Sequence, residues 1–71
     1  MIKKIKEYSL TRAVTEYERV SGRAVALTIN EKGYRLFTRR GYSAITPRVT
    51  LDELIKITRR LIWAEKAAAR A

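Results

Sequence analysis

Residues 23–40 read RAVALTINEKGYRLFTRR, and their pattern decides what kind of domain the chain builds. Val25, Leu27 and Ile29 alternate with Ala24, Ala26 and Thr28, the period of two expected of a half-buried strand. Asn30-Glu31-Lys32-Gly33 has the composition of a hairpin turn, with Gly33 at a left-handed position. Residues 34–40, YRLFTRR, then return as a second strand. With all four turn residues in the loop, Ile29 faces Tyr34 and Leu27 faces Leu36. Tyr34 and Leu36 then join the core side, while Arg35, Phe37 and Arg39 point outward beside Ala24, Ala26 and Thr28. A three-residue turn with a bulge would slip the pairing by one and bury two Arg beside Phe37. Unpartnered buried Arg is costly, so the first register is the expectation.

Downstream, Gly41 punctuates the chain and residues 42–46 have the makings of a third short strand that Pro47 would end. Residues 50–71, TLDELIKITRRLIWAEKAAARA, carry a strong helical signal. Thr50 and Glu53 fit a capping box, and Asp52 and Glu53 sit at the positive end of the helix dipole. Leu51, Leu54, Ile55, Thr58, Leu61, Ile62 and Ala69 share one face, and Lys56, Arg59, Arg60, Lys66 and Arg70 share the other, with Trp63 in their midst.

Upstream, residues 9–21 read as a helix. Ser9 is a plausible cap, Leu10, Ala13, Val14, Tyr17 and Val20 form one apolar face, and Gly22 makes a stop. Arg12 and Glu16 have the spacing of an ion pair. Glu16 and Glu18 would repel phosphate, which assigns this helix to the core. Residues 1–8, MIKKIKEY, hold too few apolar positions to fix a period and read as a basic arm or a short edge strand. The expected fold is a single α+β domain over residues 1–71: helix, antiparallel hairpin, a third strand left open, and a long C-terminal helix, with both helices on one sheet face.

Composition narrows the function. With 71 residues the chain lies near the lower limit for a self-sufficient core, and dimerisation is one way to complete it, so a homodimer stays open. There is no Cys and no His, which removes disulfides, thiol nucleophiles, and the commonest general base and metal ligand. Of the acids, Asp52 and Glu53 are accounted for by capping, Glu31 lies in a turn, and Glu16 and Glu18 point to different sides of their helix. No pair suits acid–base work, and no phosphate loop or nucleophile motif is present. The expectation is therefore a protein that is not an enzyme, with no catalytic residue, no metal and no cofactor. No apolar run nears the ~18 residues of a membrane span, and Lys3, Lys4 and Lys6 precede no apolar signal core. A cytoplasmic protein without a membrane partner or a small-molecule substrate is expected.

The net charge is +9, and ten of the sixteen cations are Arg, the residue suited to phosphate and base-edge contacts. Residues 32–48 carry five cations and no acid, a field that captures polyanions. The leading expectation is a small basic nucleic-acid-binding protein, DNA favoured over RNA. Its contacts would come from an Arg-rich hairpin (Lys32, Arg35, Phe37, Arg39 and Arg40), extended by Arg48, Arg59 and Arg60. The alternative is an inhibitor or adaptor of the kind encoded by phages and mobile elements, anti-CRISPR-like in character. It would dock on an acidic surface of a nucleic-acid-handling complex, with Trp63, Lys56 and Lys66 at the partner or dimer interface.

Overall fold

The computed structural model describes residues 2–70, with side chains from Lys4 onward. The element order is α1 (Ile2–Ser21), β1 (Val25–Asn30), β2 (Gly33–Thr38) and α2 (Leu51–Arg70). The strands pair antiparallel, with Leu27 opposite Leu36 and Ile29 opposite Tyr34. This is the register the alternation predicts. Asn30 Oδ1 accepts the Lys32 N–H at 2.8 Å and so builds the turn from its own side chain.

Both helices cover one face of this hairpin. Leu10 and Tyr17 of α1, Val25, Tyr34 and Leu36 of the sheet, and Leu54 and Ile55 of α2 form the buried cluster. Thr58 is also fully buried, and its hydroxyl is satisfied by donating to the Leu54 carbonyl at 2.7 Å. The Thr50 hydroxyl accepts the Glu53 N–H at 3.2 Å, which caps α2 as its sequence indicates.

The third strand is realised only as two isolated bridges, Phe37 with Ala44 and Tyr34 with Val49. Residues 43–49 run back along the free edge of β2, and Pro47, which has no N–H, keeps them from pairing regularly. The Leu36 N–H in the gap is met instead by the Thr46 hydroxyl at 3.2 Å. The edge is thereby covered by an irregular segment. Gly33 is obligatory here. Its φ is +130°, and an added Cβ would run into the Val49 carbonyl.

This return path decides the direction of α2. The chain leaves β2 at one pole of the molecule, travels back beside β2, and enters α2 at the other pole. The helices therefore run parallel, and Lys6 near the start of α1 pairs with Asp52 at the start of α2 at 3.0 Å. The hairpin turn lies at this same pole, where the Tyr34 hydroxyl donates to Glu7 at 3.3 Å. The open end of the hairpin lies at the opposite pole, where Glu18 accepts the Val25 N–H at 2.9 Å.

One expectation is corrected. Residues 2–8 are neither an arm nor an edge strand but the first two turns of α1, and Ser9 is a mid-helix residue, not a cap. Ile5 and Tyr8 stay exposed, so from Lys4 onward this extension shows no buried apolar stripe to betray it. It is anchored by polar contacts, Lys6 to Asp52 and Tyr34 to Glu7. Met1 and Ala71, the ends of the expected arm and C-terminal helix, lie outside the described residues.

Candidate functional site

The hairpin cations separate into two groups. Arg35 and Arg48 are fasteners. Arg35 Nε donates to the Thr46 carbonyl at 2.8 Å, and its guanidinium lies over the Phe37 ring, 5.2 Å from the centroid. Phe37 is accordingly half-buried, with one face taken by an Arg of its own strand. Arg48 reaches across the hairpin. Its Nη1 donates to the carbonyls of Thr28 (3.3 Å) and Gly33 (3.0 Å), and its Nη2 donates to the Thr28 hydroxyl at 3.0 Å. These two side chains tie the returning segment to the sheet.

Arg39 and Arg40 remain exposed. They stand at the open end of the hairpin, beyond the last pair of β2, and with Arg23 they line an open cleft that also includes Gly22, Ala24 and Thr38. Lys32 is exposed in the turn at the opposite end. A strand rises about 3.3 Å per residue. Lys32 therefore belongs to a different part of the surface from Arg39, and the expected group does not converge on one spot.

The helix α2 presents a more uniform surface. At about 100° per residue, Lys56, Arg59, Arg60, Trp63, Lys66, Ala67 and Arg70 fall within an arc of about 120°. All seven are exposed, and Trp63 is 73% exposed. The stripe runs about 21 Å along the helix, by the rise of 1.5 Å per residue. No acid interrupts it. Asp52 and Glu53 belong to the first turn, and Glu65 lies on the opposite side. An indole at this exposure has no packing duty within the chain, so it is available to an outside partner.

The parallel helices concentrate charge at one pole. Arg19, Arg23, Arg39 and Arg40 stand around the end of α1 and the open end of the hairpin, and Lys66 and Arg70 belong to the last turns of α2. Two of the acids near them are engaged, and the third, Glu65, is half-buried on the side of α2 away from the cationic stripe. Glu16 pairs with Arg19, not with Arg12, and Glu18 turns inward to the backbone of Val25. Arg12 instead lies 6.0 Å from the centre of the Tyr8 ring. The objection that α1 would repel phosphate therefore loses force at this end. Glu7, Glu31, Asp52 and Glu53 gather toward the other pole.

The sequence pattern did not single out Arg23 or Tyr42. Arg23 sits in a connector whose partner residues, Thr38 to Arg40, are adjacent only in the folded hairpin. Tyr42 is 75% exposed in a loop, and its signal is an aromatic that no element's periodicity requires. Among the described residues there is no group of acids able to hold a metal ion, and no helix is long and apolar enough to cross a membrane. Comparison with known proteins finds no matching family model, no similar curated protein and no similar solved structure.

Proposed function

We propose that this is a small, non-enzymatic nucleic-acid-binding protein, with DNA favoured over RNA, that lays the cationic face of α2 on the phosphate backbone. The observation that carries the reading is the acid-free stripe from Lys56 to Arg70 with an exposed Trp63 at its centre. Five cations over about 21 Å match a ligand whose charges repeat along a line. A single straight helix fits the wide major groove of B-form DNA and not the deep, narrow groove of A-form RNA. Arg23, Arg39 and Arg40 extend the field at the pole toward which α2 runs. Arg35, Phe37 and Arg48 are assigned to holding the hairpin and not to contacting the ligand, which moves the interface from the hairpin face to α2.

The test is direct binding of a labelled DNA duplex to the variant carrying Arg59→Gln, Arg60→Gln and Lys66→Gln. These exposed side chains make no contact that the fold needs, so the circular dichroism spectrum stays unchanged. Affinity falls at least tenfold at moderate salt. Equal affinity for variant and wild type would remove α2 from the interface.

A second reading has one observation in its favour, the exposure of Trp63. In it the same stripe docks on an acidic protein surface, with the indole as the anchor. A complex captured from nuclease-treated extract, identified by mass spectrometry and lost on Trp63→Ala, would favour that reading. Loss of all capture on nuclease treatment favours the first.

A further inference from the structure

The loop from Arg39 to Ser43 carries backbone strain at Tyr42. Gly41 and Tyr42 are both left-handed, with φ of +78° and +51°. For glycine this is free, but for a bulky aromatic it is an outlier that persists only where the surroundings impose it. Here Thr38 imposes it. Its hydroxyl donates to the Arg40 carbonyl at 2.9 Å and accepts the Ser43 N–H at 3.2 Å. The Thr38 N–H adds a bond to the Ser43 carbonyl at 2.8 Å. The chain is thus pinned on both sides of Tyr42, and the ring is held out into solvent at 75% exposure. An aromatic on a rigid support, two residues along the chain from the Arg39-Arg40 pair that lines a cleft with Arg23, has the parts of a stacking platform with phosphate clamps.

We infer that Tyr42 stacks an unpaired nucleobase while Arg23, Arg39 and Arg40 hold its flanking phosphates. The preferred ligand is then DNA with unpaired nucleotides next to a duplex. The inference rests on the nucleic-acid reading and deepens it. The α2 stripe runs toward the pole at which the Tyr42 loop lies, and in this proposal a duplex on α2 extends its unpaired end past that pole to the loop. Bases inside an intact duplex are stacked on each other and offer no face to a side chain. The loop therefore discriminates between paired and unpaired DNA, which a field of cations alone does not.

The experiment compares a blunt duplex with the same duplex carrying a single-stranded tail, for wild type, Tyr42→Phe, Tyr42→Ala and Tyr42→Gly. Wild type and Tyr42→Phe gain about tenfold in affinity from the tail, the scale of one base–aromatic stack. In Tyr42→Ala and Tyr42→Gly the gain disappears, and blunt-duplex affinity is unchanged. Tyr42→Gly relieves the left-handed strain, so loss of folding cannot imitate loss of stacking. A tail gain that survives in Tyr42→Ala and Tyr42→Gly, or no gain in wild type, overturns the inference and leaves the nucleic-acid reading standing. No binding of either DNA by wild type at low salt overturns both.

Discussion

Replacing Arg48 separates holding the fold from holding a ligand. Its guanidinium donates three hydrogen bonds, to the carbonyls of Thr28 and Gly33 and to the Thr28 hydroxyl, at 3.0 to 3.3 Å. Hydrogen bonds from a charged donor contribute about 1.5–3 kcal/mol each. The side chain is only half-buried and its acceptors regain water when it is removed, so the lower end applies to the set as a whole. Arg48→Ala is therefore expected to cost about 2 kcal/mol, or roughly 8–16 °C in Tm for a domain of this size. Arg48→Lys keeps the charge but cannot span three acceptors, and it loses most of the same stability. Arg40→Ala, at an exposed position, leaves Tm within about 2 °C, in line with surface substitutions generally. Thermal unfolding by circular dichroism measures the first effect. DNA binding well below the transition measures the second, and there the order reverses: Arg40→Ala weakens binding and Arg48→Ala does not. An Arg48→Ala protein with unchanged Tm and weakened DNA affinity would refute the assignment of Arg48 to the fold.

Four further outcomes follow from local geometry. Gly33→Ala forces a Cβ against the Val49 carbonyl and disturbs the paired bonds between Tyr34 and Val49. It is expected to cost about 3 kcal/mol in urea unfolding, from backbone strain plus lost hydrogen bonds. Gly22→Ala, where nothing lies within 4 Å of the added Cβ, costs only the ~1–2 kcal/mol of a left-handed residue. Thr50→Ala removes the α2 cap and lowers stability by about 1 kcal/mol, with Thr50→Ser near wild type. Tyr42→Gly raises stability by about 0.5–1 kcal/mol while abolishing the tail preference, which thermal unfolding and binding on the same sample detect together.

The readable parts of this chain were those where short-range chemistry agrees with the final packing. The hairpin register follows from the alternation through Leu27 and Leu36, because a slip by one would have buried Arg. The start of α2 follows from Thr50 and its acids. The start of α1 was illegible. Its first turn holds no acid, and its apolar residues Ile5 and Tyr8 face solvent. Among the described side chains it is held by the polar contacts of Lys6 with Asp52 and Tyr34 with Glu7. Ile29, on the expected core face, is 59% exposed, while Tyr34 opposite it is buried.

The candidate site was legible in outline and not in assignment. Lys56, Arg59, Arg60, Trp63 and Lys66 follow from helical periodicity alone. Spacing cannot tell a solvated Arg from one used as a fastener, and Arg35 and Arg48 are fasteners because of where Thr46, Thr28 and Gly33 come to lie. The parallel run of the helices, and the basic pole it creates, depends on residues 43–49 returning along the edge of β2. Those residues carry too little pattern to announce that path.

The central claim is that the cationic face of α2 neutralises a line of phosphates. The most direct measurement is duplex-DNA affinity of the wild-type protein across a range of salt concentrations. Each phosphate neutralised contributes about 0.9 to the slope of log affinity against log salt. Contacts from most of the five α2 cations and from Arg39 and Arg40 predict a slope of about −4 to −6. The variant with Arg59, Arg60 and Lys66 replaced by Gln loses about 2–3 of that value. A slope near zero, or the same slope in both proteins, would contradict the account.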